Sequence, residues 1–253
     1  MARYNTNKIA VVSGFDKLQP RFESHINHKK YAGKHGYAYY FDTDREPHDN
    51  YFSKIDKILK YLNLYDWIFW IDDDAFFMDH NIKLEDLIHT GGEKDLIFCK
   101  SPVNPKGEFT LLNSGAFFVK NTVKTKKYLN DVLNVDLIHV KNWWKNEFGL
   151  FTNTDQDAVF YLLHNGSGYS NNTFFIILEP KYFNERPFNF QNKFDEYFIC
   201  HFPGNEKERQ IDEFAKRFKL NKSLSPVPKY KLILKKVIPG FIKRLYRRIY
   251  KNQ

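Results

Sequence analysis

Two cysteines, Cys99 and Cys200, in a chain of 253 residues are too few for a disulfide framework and fit a reducing compartment. No run of about 18 or more apolar residues occurs, so no membrane-spanning helix is expected. The opening MARYNTNKIAVV lacks the long apolar stretch of a secretory signal. The Asn-x-Ser/Thr triplets at Asn165, Asn171 and Asn221 are then read as chance matches. Internal repeats and low-complexity linkers are missing too. Basic excess is missing from the body: nine of the 39 Lys and Arg lie from residue 226 onward, where there is no acid, leaving the first 225 residues with as many bases as acids. A neutral body argues against nucleic acid as a partner.

Apolar material is present in quantity, with 42% hydrophobic and 18% aromatic residues, enough for one large domain or two small ones. Lys8 to Ser13 reads as a buried strand ending at Gly14, Pro20 to His35 as a helix closed by Gly36, and Tyr37 to Phe41 as a second strand. Ser53 reads as the N-cap of a second helix, with Asp56 three residues on and an apolar stripe of Ile55, Ile58, Leu59 and Leu62. Trp67 to Ile71 makes a third strand. This β-α-β-α-β order predicts a parallel, right-handed, doubly wound half, with ligands gathering beyond the carboxyl ends of its strands. Further strands are expected at Asp95 to Cys99, Leu111 to Val119, Thr173 to Leu178 and Tyr197 to His201. A helix should start at a capping box over Thr154 to Asp157 and stop near Asn165-Gly166.

The stretch WIFWIDDDAFF, residues 67 to 77, sets three carboxylates between two oily segments at one of those strand ends. Three adjacent acids repel one another, and burial worsens the repulsion. A divalent cation relieves it, and hard oxygen ligands suit Mg²⁺, Mn²⁺ or Ca²⁺, ions that bridge carboxylates to substrate phosphates. If the extended geometry continues past Ile71, Asp72 and Asp74 share a face and Asp73 points elsewhere. The plain alternative is a solvated turn after a strand; the flanking apolar residues favour a wrapped site.

Six blocks in order, YAGKHGY (31 to 37), YFSKIDKIL (51 to 59), DWIFWIDDDAFF (66 to 77), LLNSGAFFVKN (111 to 121), TDQDAVFYLL (154 to 163) and CHFPG (200 to 204), resemble the nucleotide-sugar glycosyltransferases of GT-A fold. More narrowly they resemble glycosyltransferase family 34, which includes plant xyloglucan xylosyltransferases and yeast galactosyl- and mannosyltransferases. The resemblance covers about residues 8 to 205. It implies an α/β fold with a mixed, mainly parallel Rossmann-like sheet and flanking helices. It also implies transfer of a sugar from a nucleotide diphosphate to an acceptor hydroxyl with retention of the α configuration. The expected cofactor is Mn²⁺ (or Mg²⁺), and the expected donor is a UDP-sugar carrying galactose, glucose or xylose.

Residue by residue, the resemblance implies that Asp74 ligates the metal, that Asp72 contacts the metal or the ribose, and that His201 completes the site. Asp73 is counted with Asp72 on the nucleotide side. Lys54 matches a lysine near the nucleotide or the metal carboxylates. Glu206 stands near where the family has a lysine, a departure that makes Lys207, one residue later, the candidate for the diphosphate. Asp155 and Gln156 match a pair facing the donor sugar, Gln156 as a positioning group rather than a base. Asn113, Ser114 and Gly115 match a turn close to donor and acceptor, where Gly115 could permit close backbone approach. Ser13 and Gly14 are nucleotide candidates on topology alone. Trp143 and Trp144 could stack on an acceptor sugar or lie in the core.

Composition changes at Ser225-Pro-Val-Pro, which divides the chain into a domain over 1–225 and a basic tail over 226–253. After Pro239-Gly240, Phe241, Ile242, Leu245, Tyr246 and Ile249 fall on one helical face. Lys243, Arg244, Arg247, Arg248 and Lys251 fall on the other, the pattern of a helix lying in an anionic membrane interface. This suggests a glycan or lipid-linked acceptor and a peripheral address on the cytoplasmic face of a membrane. Two other functions fit parts of the sequence. A metal-dependent phosphatase or nucleotidyltransferase would use the aspartates, though an aspartyl-nucleophile phosphatase wants them after its first strand. A non-catalytic membrane adaptor would rest on the tail.

Overall fold

The computed structural model describes residues 8–15, 20–48, 50–170 and 173–226. Strand β1 (Ile9–Gly14) leads through α1 (Ser24–His35) to β2 (Ala38–Asp42), then through α2 (Ser53–Leu62) to β3 (Trp67–Ile71). All five residues of β3 are buried. Strand β1 lies between β2 and β3 and pairs parallel with both, Val12 opposite Tyr40 on one side and Trp70 on the other. The doubly wound half is therefore as expected. Beyond it come β4 (Ala75–Phe77), α3 (Leu84–Thr90), β5 (Leu96–Cys99), β6 (Asn113–Lys120), α4 (Val123–Leu133), α5 (Leu137–Trp143), α6 (Asp155–Asn165), β7 (Phe175–Leu178), β8 (Ile199–His201) and α7 (Lys207–Phe218). The main sheet runs β2-β1-β3-β6-β5-β7. Only β6 is antiparallel to its neighbours β3 and β5, so the sheet is mixed and mainly parallel.

Alternation along β3 separates two apolar layers. Ile68 and Trp70 pack with Ile55, Ile58 and Leu62 of α2, Tyr128 and Val132 of α4, and Val159 and Phe160 of α6. Trp67, Phe69 and Ile71 pack on the opposite side with Tyr31 and Ala32 of α1 and Leu84, Leu87 and Ile88 of α3. A third cluster joins Phe76 and Met78 to Cys200, Phe202, Ile211 and Phe214, setting α7 against a small antiparallel sheet of β4 and β8. Both cysteines are free and buried.

Some local details differ from the sequence expectations. Helix α1 begins at Ser24 rather than Pro20, although it ends, as expected, at a left-handed Gly36 with φ 76°. Ser53 is not a cap: a 3₁₀ turn over Asn50–Phe52 runs straight into α2, and Ser53 is its first helical residue. Asp56 is committed to the preceding loop, accepting from the His48 backbone N–H at 3.1 Å and facing its ring at 3.0 Å. The capping box at α6 is present, Thr154 and Asp157 satisfying each other's backbone N–H groups. Extended geometry does not continue past Ile71; Ala75 N donates to Asp72 O at 3.1 Å and closes a turn over the three aspartates. The 226–253 tail, apart from Pro226, lies outside the described residues, and among those described no helix is long and apolar enough to cross a membrane.

Helix α1 also closes the outer edge of β4, whose unpaired backbone groups would otherwise be buried without partners. Asn27 Nδ2 donates to Phe77 O at 2.9 Å, Phe77 N donates to Asn27 Oδ1 at 2.8 Å, and His28 Nε2 donates to Ala75 O at 2.7 Å. Burial pushes the His28 pKa down to about 4, and Nδ1 has no hydrogen-bond partner among the described residues. The folded state thus holds a neutral ring, while the unfolded chain takes up a proton near pH 6.5. The unfolded state binds more protons between these values, so stability is full above 6.5 and falls as pH drops toward 4, by up to about 1.4 kcal/mol per pH unit. Urea denaturation across pH 4.5 to 7.5 should show this slope. His28→Gln, which keeps a donor for Ala75 O, should be shallower; an unchanged slope would contradict the assignment.

Candidate active site

The turn after β3 brings the carboxylates together with the small sheet. Asp72 N donates to Gly115 O at 2.7 Å, tying the turn to β6, and Phe202 N donates to Asp74 O at 3.0 Å, tying it to the end of β8. In the β4–β8 register His201 stands opposite Ala75. One ligand atom from each of Asp72, Asp74 and His201 lies within 4.8 Å of the others. The Asp74 and His201 side chains are 6% and 4% exposed, whereas Asp72 is 27% exposed, so the cluster opens on the Asp72 side. Gly115 is where the imidazole passes over the backbone: a Cβ there would lie 2.1 Å from His201 Cε1. The close approach expected at this glycine is thus made by His201.

Residues 184–186, which the sequence reading passed over, orient that imidazole. Asn184 Nδ2 donates to Lys100 O at 2.8 Å, and its Oδ1 accepts from Arg186 Nη1 at 2.9 Å. The amide oxygen therefore faces His201 Nδ1, 3.0 Å away, and Nδ1 must carry the proton. In the neutral ring Nε2 then presents a lone pair to Asp74 Oδ1 at 3.1 Å. Burial, and then the Arg186 charge, holds the His201 pKa below its ordinary value despite Asp74. Burial would raise the Asp74 pKa, but a protonated His201, and in either state of that ring Lys207, whose Nζ is 2.5 Å from Asp74 Oδ2, hold the carboxyl well below the usual range. Asp74 Oδ1 is buried and accepts no hydrogen bond from the described residues. A carboxylate oxygen and an imidazole lone pair facing each other, with a second carboxylate alongside, form a donor set that fits a divalent cation such as Mn²⁺.

Lys54, on the first turn of α2, sits on the other side of Asp72. Its Nζ is 3.2 Å from Asp72 Oδ1 and 3.4 Å from Asp155 Oδ2, and it donates to Ser114 O at 3.1 Å. Burial would lower the Lys54 pKa, but Asp155 and Asp72 drive it up. Burial pushes the Asp155 pKa up to about 6 against the pull of Lys54. Gln156 Oε1 accepts from Asn113 Nδ2 at 3.1 Å and Ser114 N at 3.3 Å, and Asn113 Oδ1 accepts from Gly115 N at 3.0 Å. The start of α6 and the start of β6 are thereby locked together, with Asp155, Gln156, Asn113, Ser114 and Gly115 all at one place.

Other candidates fall outside this centre. Asp73 is not in the three-ligand cluster; burial, then Asp74 and Asp72, push its pKa up to about 7. Gly14 answers to an internal contact, since a Cβ would lie 2.6 Å from both Asp42 O and Lys57 Cδ. Ser13 is fully buried one step beyond the Val12–Trp70 pair, with no partner for its hydroxyl among the described residues. Trp143 stacks on Phe148 with centroids 4.7 Å apart, and Trp144 Nε1 donates to Gly149 O at 2.9 Å. Both are partly buried and pack against the core.

The sheet order and the cluster beyond its third strand define the GT-A class of glycosyltransferase folds. A glycosyltransferase involved in glycosylation of the major capsid of PBCV-1 superposes with a TM-score of 0.60 at 14% identity, covering 82% of this chain and 98% of that one. Residues 15–91, which include the three aspartates, match the galactosyl transferase GMA12/MNN10 family, and the chain resembles glycosyltransferase family 34. A Drosophila β1,4-galactosyltransferase 7, solved with manganese, UDP-Gal and xylobiose, superposes with a TM-score of 0.44 at 15% identity over 80% of this chain and 73% of that one. No curated protein matches the sequence. The family match and the fold together support a glycosyl-transfer function.

Proposed function

We propose that this chain is a metal-dependent, retaining glycosyltransferase that moves a sugar from a UDP-sugar to a hydroxyl of a glycan or lipid-linked acceptor. The observation that carries the reading is the convergence of Asp72, Asp74 and His201 at the strand ends, with a lysine on either side. In the transfer, an acceptor oxygen bonds to the anomeric carbon while the bond from that carbon to the diphosphate breaks. The electron pair goes to the diphosphate, which takes the acceptor proton. Negative charge grows on the leaving group, so fixed positive charge matters most in the transition state.

A divalent cation held by Asp72, Asp74 and His201 would supply part of that charge. Lys207 supplies more from the first residue of α7, where the helix N-terminus also favours an anion. Lys54 favours the ionised form of Asp155 and holds Asp72 in place. Gln156 has its carbonyl committed to Asn113 and Ser114, leaving its amide N–H groups to donate to the sugar; it positions and does not act as a base. Galactose, glucose and xylose are the donor sugars favoured. The sequence pattern of the 226–253 tail supports peripheral attachment to an anionic membrane, with the enzyme on the cytoplasmic face.

Calorimetry with UDP tests the reading. Binding is expected in the presence of Mn²⁺ and should vanish in EDTA. Binding that ignores the metal, or rapid hydrolysis of simple phosphoesters without nucleotide binding, would sink it.

A further inference from the structure

A cavity of about 630 Å³ opens beside α7. It is lined by Glu206, Gln210, Glu213 and Arg217, spaced along α7 and its N-cap, and by residues 104–106 and 187–188. The groove begins at the candidate centre: Glu206 adjoins Lys207, and Arg186, also in the lining, holds Asn184 against His201. From Glu206 to Arg217 the helix rises about 16 Å, which suits an extended chain of sugars rather than one.

The lining identifies the class of ligand. Phe188 is 40% exposed and forms no ring contact among the described residues, an open apolar face in the groove. The Gln210 side chain forms no hydrogen bond among them either. Arg209 pairs with both Glu206 and Glu213, fixing two carboxylates as acceptors along the wall. Both signs of charge line the groove, Glu206 and Glu213 beside Lys106, Arg186 and Arg217, a mixed rim rather than a concentrated cationic site for a second phosphate. A pyranose combines an apolar C–H face with a rim of hydroxyls that donate and accept, which is what an open aromatic ring beside an amide and carboxylates can hold.

We infer that this groove is the acceptor subsite: a neutral oligosaccharide lies along α7 with its reactive hydroxyl at the Glu206 end. The inference rests on the glycosyltransferase reading. Full-length protein, fluorescently labelled, is applied in Mn²⁺ and UDP to an array of neutral oligosaccharides. Wild type should retain a defined subset, and Phe188→Ala and Gln210→Ala should each weaken retention about tenfold or more. UDP affinity in Mn²⁺ should be unchanged in both variants. A wild type that retains no oligosaccharide, or variants that retain them equally, overturns the inference. Failure of the wild type to bind UDP with Mn²⁺ would instead remove the functional reading beneath it.

Discussion

Asp74→Asn lowers metal-dependent turnover of a nucleotide sugar by about 10²–10³-fold or more, with a matching loss of Mn²⁺ affinity in calorimetry. The substitution keeps the size of a side chain that is nearly fully buried and removes its charge. Asp74 is the residue on which the centre converges: His201 Nε2 lies 3.1 Å from one oxygen and Lys207 Nζ 2.5 Å from the other. Without the carboxylate, the Lys207 charge loses its partner and Asp72 and His201 alone remain of the three ligands, which weakens the hold on a cation. His201→Ala should behave alike. Asn184→Leu should fall between these variants and wild type, because it leaves all three ligands but removes the group that keeps the Nδ1 proton in place, along with its bonds to Lys100 and Arg186. Loss of such an outer partner costs about 10–100-fold in metal affinity. Nitrogen-15 NMR of His201 should show the tautomer released in that variant. Full Mn²⁺-dependent activity in both Asp74→Asn and His201→Ala would mean that the cluster has another purpose.

The parts of this centre that could be read from the sequence are those with a local signature. The WIFWI run and the i, i+3, i+4, i+7 stripe of α2 are strong periodic signals, and both elements lie where expected. The aspartates stood out by their position between apolar segments, and His201, Lys54, Asp155 and Gln156 by the order of motifs around them. Strand β4 escaped because three residues are too few to show a period. With it went the small sheet that delivers His201. Asn184 and Arg186 lie in an irregular stretch with no cap, repeat or periodicity to mark them. Their importance comes from packing, the bridge of Glu185 to Cys200 that sets this segment beside β8. The ion pair of Lys54 with Asp155 joins residues 101 positions apart. Each could be picked out singly; only the fold pairs them.

That pair leads to the largest expected change in stability. Lys54 is buried between two carboxylates and makes its polar contacts inside the protein. Lys54→Met fills much the same volume and leaves Asp155, itself 1% exposed, without its countercharge. Removing one member of a buried ion pair costs about 3–5 kcal/mol, because the partner's charge is left without compensation. Asp155 can escape part of this cost by keeping a proton. Its pKa is already pushed up to about 6 by burial with Lys54 present, and it rises further once the ammonium is gone. A carboxyl whose folded pKa lies above its unfolded value binds more protons in the folded state, so stability declines as pH rises through that window. Urea denaturation in EDTA should therefore find Lys54→Met destabilised at pH 8 and less so at pH 5. Adding Asp155→Asn should recover most of the loss and flatten the pH dependence, since Asp72 keeps access to water. The double variant should still fail to bind UDP in Mn²⁺, because recovered folding does not restore the charge that holds Asp72 in place. A single variant within about 1 kcal/mol of wild type at pH 8, or a double variant no more stable than the single, would show that Lys54 does not hold this centre together.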